Sequence, residues 1–175
     1  MEKRSFSLWQ FVGFSLTSLL GTLLHFLYDF SGKNPFAALF SGVNESTWEH
    51  MKLLFFSLFF FAIIEYFFFS ERENFWCVKL KGTLLGLGLI PVIFYTYRGV
   101  LGKNVDFINI LIFFVSAAAV FLYETREMKK EKDKCPQPRL SFILLCLIML
   151  SFFLFTFFPP KIGLFLDPIT GTYGV

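Results

Sequence analysis

Cysteine, histidine and charge are all scarce in this sequence. The three cysteines, Cys77, Cys135 and Cys146, are odd in number and far apart. They contain no C-x-x-C pair, so neither a disulfide framework nor a thiolate zinc site is expected, and all three read as structural bystanders. The formal charge of +3 is small. The basic residues are not interleaved with exposed aromatics as on a nucleic-acid surface, so nucleic acid is set aside as a partner. No internal repeat is evident. The first apolar run lacks an A-x-A-like cleavage site and is longer than a signal-peptide core, so it is expected to be retained as a membrane span. Ionisable groups are nearly absent from the middles of the long apolar runs. Channels and ion-coupled transporters normally carry such groups near the membrane midplane, and their scarcity counts against transport.

Apolar bulk is what the chain has in abundance. Of its 175 residues, 55% are hydrophobic and 21% aromatic, with 28 Phe, and the mean hydropathy is +0.63. A soluble domain of this length has too little interior to hide that surface. A bilayer is the alternative solvent, and a spanning helix needs roughly 20 mostly apolar residues. Five such runs are present, at about residues 8–28, 47–70, 82–97, 105–123 and 140–158. The expected fold is therefore an all-α, five-helix transmembrane bundle forming a single membrane domain over residues 1–175. Residues 30–43 are too short and broken to span. Asn34 and Pro35 make a helix start and Gly42 a stop, which predicts a short interfacial helix folded over the bundle end. Along the first span Gly13, Thr17, Gly21, His25 and Asp29 recur every fourth residue, a small-residue stripe for close helix approach that turns polar at one end. Pro91 is expected to kink the third span, Glu65 to snorkel from the second, and Lys52 to snorkel likewise. Residues 71–81, 124–139 and 159–175 read as a charged connection, a charged linker and a folded tail with turn signals at Asp167-Pro168 and Thr170-Gly171.

Five spans put the two termini on opposite sides. Eleven of the 16 Lys and Arg residues fall on the side of the N-terminus: Lys3, Arg4, Arg72, Lys79, Lys81, Arg126, Lys129, Lys130, Lys132, Lys134 and Arg139. Five, Lys33, Lys52, Arg98, Lys103 and Lys161, fall on the other. The positive-inside rule then places the N-terminus in the cytoplasm and the C-terminus outside the cell membrane.

That orientation gathers chemistry at the outer face. Both histidines, His25 and His50, fall there, with Asp29, Glu45, Glu49, Arg98, Asp106, Asp167 and Tyr173. The densest run is Val43-Asn-Glu-Ser-Thr-Trp-Glu-His-Met-Lys52. Ser46 and Glu49 have capping-box spacing at the head of the second span, and Trp48 suits an interfacial anchor. His25 and His50 with Asp29 or Glu45 form a nitrogen–oxygen ligand set that suits Zn²⁺ or a similar divalent metal. No H-E-x-x-H motif is present. Glu49 and His50 point about 100° apart on a helix, which disfavours both reaching one ion. Without a metal, Glu45, Glu49 and His50 are the acid/base candidates. Asn44, Arg98 and Tyr173 are the candidates for binding substrate, Arg98 as an anchor for an anionic group.

The same run, preceded by His25-Phe-Leu-Tyr-Asp29-Phe-Ser-Gly32 and followed by Asp167-Pro-Ile-Thr-Gly-Thr-Tyr-Gly174, resembles an uncharacterised family of small bacterial multi-pass membrane proteins. The resemblance covers essentially the whole chain, and Asn-Glu-Ser-x-Trp-Glu-His is its specific part. It implies a bacterial integral membrane protein and transfers no activity. Two functions stay open. One is a membrane hydrolase, metal-dependent or acid/base, acting on a lipid or cell-envelope molecule. The other is a non-catalytic binding or assembly protein that meets a lipid or another membrane protein, its polar cluster being structural.

Overall fold

A chain segment in a bilayer has to satisfy its own backbone hydrogen bonds, and a helix does so within one segment. The long apolar runs are accordingly helical. The structure, a computed structural model, describes residues 3–69, 71–130 and 135–175, with the backbone alone for residues 3–5. Ser70, where the second span was expected to end, and Lys132 and Lys134 of the linker lie outside the described residues.

The elements are α1 (Lys3–Phe30), a short α2 (Pro35–Ala38), α3 (Thr47–Phe69), α4 (Phe75–Leu101), α5 (Asp106–Met128) and α6 (Pro138–Phe157), followed by a 3₁₀ turn at Gly163–Phe165. The five long helices are each long and apolar enough to cross a membrane. At about 1.5 Å per residue, their 20 to 28 residues give roughly 30–42 Å. This is the expected five-span, all-α bundle with a short helix between the first two long ones. Asn34 caps α2 as expected, its Oδ1 accepting the Phe36 N–H at 2.8 Å.

Helices α1, α3, α4 and α5 close a ring, each packed on the next, and α6 lies against α4 and α3. The core between them is built of Leu53, Leu54, Phe55, Phe56, Phe61, Leu87, Ile90, Phe113, Ala117, Val120 and Phe121. A second cluster, Phe6, Phe69, Phe75, Val78 and Met128, closes the end where α1 begins. The outward faces are apolar too. Phe11, Leu16, Leu19 and Leu23 on α1, and Ile143, Leu147, Leu150 and Leu154 on α6, are all exposed. Such a surface is stable when lipid is the solvent.

The small-residue stripe on α1 serves the close approach its spacing predicts. A Cβ at Gly13 would collide with the Phe61 ring, and one at Gly21 with the Phe113 ring. These two glycines let α1 approach α3 and α5 closely.

Several expectations are corrected. The connection expected over residues 71–81 is mostly helix: α4 begins at Phe75, so Trp76, Lys79 and Lys81 are its first turns. Helix α4 also continues through Pro91 and past Arg98 and Gly99, ending where Gly102 adopts φ +68° and returns its N–H to the Arg98 carbonyl. Helix α5 runs on to Met128, so Glu124 is helical and buried rather than part of a linker. Charged residues delimit helices poorly here because several of them point inward. Cys77 and Cys135 are not bystanders. They form a disulfide with Cα atoms 5.7 Å apart. The start of α6 packs on the start of α4, where Cys77 Sγ lies 3.3 Å from Ser141 Oγ, and this brings Cys135 alongside. A separation of 58 residues gave no sign of it in the sequence.

Gly13→Ala should lower the stability of the bundle by about 1–3 kcal/mol through overpacking. Gly88→Ala, where an added Cβ meets nothing within 4 Å, should leave it unchanged or raise it by up to about 1 kcal/mol. Thermal unfolding in detergent, followed by circular dichroism, measures both.

Candidate functional site

The dense polar run splits into two parts with different surroundings. One part is consumed by structure. Ser46 caps α3, its Oγ accepting the Glu49 N–H at 3.3 Å. The Glu49 carboxylate reaches back past Ser46 and accepts the Val43 N–H at 3.1 Å. The Ser46 N–H donates instead to Asn44 Oδ1 at 2.9 Å. Asn44 Nδ2 donates to the Gly174 carbonyl at 3.0 Å and so ties down the tail. Lys52 does not snorkel. It is wholly buried, and its ammonium contacts Glu49 Oε2 at 2.5 Å, the Ala38 carbonyl at 2.9 Å and Thr156 Oγ1 at 2.8 Å. Trp48 at the head of α3 packs against Phe152, Phe155 and Phe165. Asp167 turns the tail, accepting from the Ile169 N–H and Thr170 Oγ1, each at 2.8 Å.

The other part is Glu45 and His50, and His25 of α1 comes to meet them. Glu45 presents one carboxylate oxygen to each imidazole: Oε1 lies 3.5 Å from His25 Nε2, and Oε2 lies 3.5 Å from His50 Nε2. The two rings are 5.8 Å apart. His50 Nδ1 lies 2.9 Å from the Ser46 carbonyl oxygen. A carbonyl only accepts, so Nδ1 carries the hydrogen, and in neutral His50 the Nε2 lone pair faces a carboxylate oxygen. Two acceptors facing each other need a proton or a bridging donor between them.

This trio opens into a cavity of about 440 Å³ between α1 and α5. Gly21, Thr22, His25 and Phe26 line one wall, Asp106, Asn109, Ile110, Phe113 and Phe114 the other, with Glu45, His50, Leu53 and Ile169 closing it. The volume falls in the range of small-molecule sites. Phe26 and Ile110 of its lining belong to the exposed apolar faces of their helices. A smaller space of about 10 Å³ adjoins it, bordered by Glu45, Thr47, His50 and Asn109 among others, enough for about one water.

A family model described as "Family of unknown function (DUF6512)" matches residues 1–175. The chain belongs to that family. No curated protein and no solved structure matches it. Membership in DUF6512 gives the site no activity, so its chemistry has to be read from its residues.

Of the residues singled out in the sequence, His25, Glu45 and His50 are brought together. Asp106 lines the same cavity, and Asp29, though exposed, lies close enough to bear on the charge of His25. Glu49 is instead committed to Lys52, and Asn44 is tied to the tail. Arg98 is exposed, with its guanidinium 5.9 Å from the Phe94 ring. Tyr173 pairs with Leu166 in the tail. Neither Arg98 nor Tyr173 lines the cavity. Among the described residues, no three His, Cys, Asp or Glu side chains are arranged to hold one metal ion. The zinc-type ligand set is thus not assembled, and no step is drawn through a metal. Asn109 and Thr22 joined the lining unforeseen. The i, i+3 spacing of Asp106 and Asn109, which sets both on one face of α5, was the available signal for Asn109.

A second polar cluster lies at the opposite end of the bundle. Glu65 does not snorkel: it is fully buried and paired with Lys79, which also contacts Glu124.

Lys52→Met should destabilise the bundle by about 3–5 kcal/mol, because it leaves the buried Glu49 carboxylate without its cation. Adding Glu49→Gln should recover most of that loss. His50→Gln, which removes no buried charge partner, should cost no more than about 1 kcal/mol. Thermal unfolding of the three variants in one detergent makes the comparison.

Proposed function

We propose that this membrane protein is an acid/base hydrolase whose site is His25, Glu45 and His50. Its substrate is an amphiphile whose apolar part enters from the bilayer between α1 and α5. The observation that carries this reading is the Glu45 carboxylate set between two imidazoles, one with its tautomer fixed by the Ser46 carbonyl. Anchoring Nδ1–H on a backbone carbonyl is how a histidine is held ready to use Nε2 as a base.

The chemistry follows from the arrangement. A water beside Glu45 and His50 gives its proton to this pair as its oxygen attacks an ester carbonyl carbon. The tetrahedral adduct collapses, re-forming the carbonyl as the ester C–O bond breaks, and the leaving alkoxide takes that proton back from the imidazolium. Water supplies all the atoms, and no oxidant or cofactor enters. Positioned acid/base groups contribute roughly 10²–10⁴-fold to such reactions.

Charge narrows the substrate. Glu45 and Asp106 line the cavity, and neither Lys nor Arg does. An anionic head group would meet carboxylates with no cation opposite, so a neutral or cationic amphiphile, such as a carboxylic ester, fits best. The same absence favours a second reading. The lining holds no Lys or Arg among the described residues to steady a developing oxyanion, and binding of a lipid without turnover needs none.

On orientation, eleven basic residues against five support a cytoplasmic N-terminus, which places the site at the outer leaflet. The Cys77–Cys135 bridge then lies on the cytoplasmic side. Thiols there are kept reduced, so this orientation expects the bridge to close only under oxidation.

Purified protein in phosphatidylcholine vesicles should hydrolyse a fluorogenic fatty-acyl ester faster than protein-free vesicles. Glu45→Gln and His50→Gln should each lower the rate about 100-fold or more without changing the unfolding temperature. Equal rates in wild type and variants would defeat the reading. No hydrolysis, together with a lipid that co-purifies with wild type and is lost from His50→Gln, would establish the binding alternative instead. Labelling of Cys135 by a membrane-impermeant maleimide in intact cells pretreated with a membrane-impermeant reductant, which opens the bridge with Cys77 if it lies outside, would reverse the orientation.

A further inference from the structure

Two buried ionic groups among the described residues differ in their charge count. Near α2, Glu49 and Lys52 are one carboxylate and one ammonium, and they balance. At the end where α1 begins, Lys79 of α4 faces two carboxylates. Its ammonium is 2.5 Å from Glu124 Oε2 of α5 and also touches Glu65 Oε2 of α3. All three side chains are buried. From α1 comes Gln10, 2% exposed, whose Nε2 lies 2.5 Å from Glu65 Oε1. The Phe61 and Phe75 rings close over the ammonium at 5.7 and 5.6 Å. With all groups ionised, the cluster would hold one uncompensated negative charge about one turn inside four helices. A net charge in such a place costs several kcal/mol, and two carboxylates sharing a water-poor site do not both stay ionised.

We propose that Gln10, Glu65, Lys79 and Glu124 form a proton-binding site, in which the two carboxyls hold one proton between them and the group is electrically neutral. Three observations single out a proton over a metal cation. The ammonium already occupies the position between the carboxylates where a metal would sit. The space behind is filled, since a Cβ on Gly82 would come within 3.0 Å of Glu124 Oε1. Gln10 Oε1 is buried without a donor, and a carboxyl O–H is a donor that protonation would add to the cluster. Charged groups facing one another here are Glu65 from α3, Lys79 from α4 and Glu124 from α5, while α1 presents only a neutral amide. A proton held on a bundle-lining carboxyl is the element on which proton-linked membrane proteins rely. This site does not depend on the acid/base reading of His25, Glu45 and His50.

Infrared spectroscopy of the full-length protein in vesicles at neutral pH tests the assignment. A protonated carboxyl gives a carbonyl stretch that shifts in heavy water, and glutamate labelled with ¹³C moves the band without any substitution. The expected result is a band of this kind in wild type that follows the glutamate label. It should be lost from Glu65→Gln, from Glu124→Gln or from both, and retained in Glu45→Gln, which separates it from the other polar cluster. The proposal is overturned if wild type shows no glutamate-dependent band, or if the band survives in both Glu65→Gln and Glu124→Gln. Labelled wild type by itself returns a negative result even where a variant fails to fold.

Discussion

The buried Glu49–Lys52 pair holds one end of this bundle together. Its ammonium binds a carbonyl from α2, its own helix's carboxylate and a hydroxyl from α6, while that carboxylate also takes the Val43 N–H. Removing these groups from water is costly, and the cost is offset only because nearly every donor and acceptor finds a partner. The pair therefore fixes where residues 38–43 run. Glu45, two residues further on, inherits its position and meets His25 and His50. The candidate site depends on an ion pair that takes no part in its chemistry.

The bilayer supplies the second constraint. With lipid outside, no hydrophobic gradient drives the helices together, and association rests on close packing and satisfied polar groups. Both are visible here. Gly13 and Gly21 admit the Phe61 and Phe113 rings where any side chain would collide. Charged residues that appear to bound the spans instead turn inward at both ends and join neighbouring helices. Between these polar ends the core is mostly Phe, Leu, Ile and Val.

The cavity between α1 and α5 adjoins the close contact of Gly21 with the Phe113 ring. Thr22, His25 and Phe26 continue its α1 wall, and the polar trio lines it. An opening bordered by apolar residues on lipid-facing surfaces suits an amphiphile better than a solute arriving from water.

Hydropathy alone determined the five spans, because the bilayer's thickness and the need for internal hydrogen bonding leave a long apolar run little choice but to be a helix. Local spacing also determined the Asn34 cap, the Ser46 cap and the glycine stripe on α1, since each depends on neighbours within one turn. Tertiary structure decided the rest. Whether Lys52 and Glu65 faced lipid headgroups or the interior turned on partners up to 104 residues away, and a long side chain near a helix end is equally able to do either. The pairing of Cys77 with Cys135, and the presence of Glu124 in a buried cluster, were fixed by which helices pack together. The run at residues 43–52 shows the division most clearly. Its composition marked it as unusual, and its spacing read Glu49 as a cap with Ser46 while leaving Glu45 and His50 without partners. Only the packing of α1, α2, α3 and α6 assigned Glu49 to the frame and left Glu45 and His50 facing His25 across a cavity.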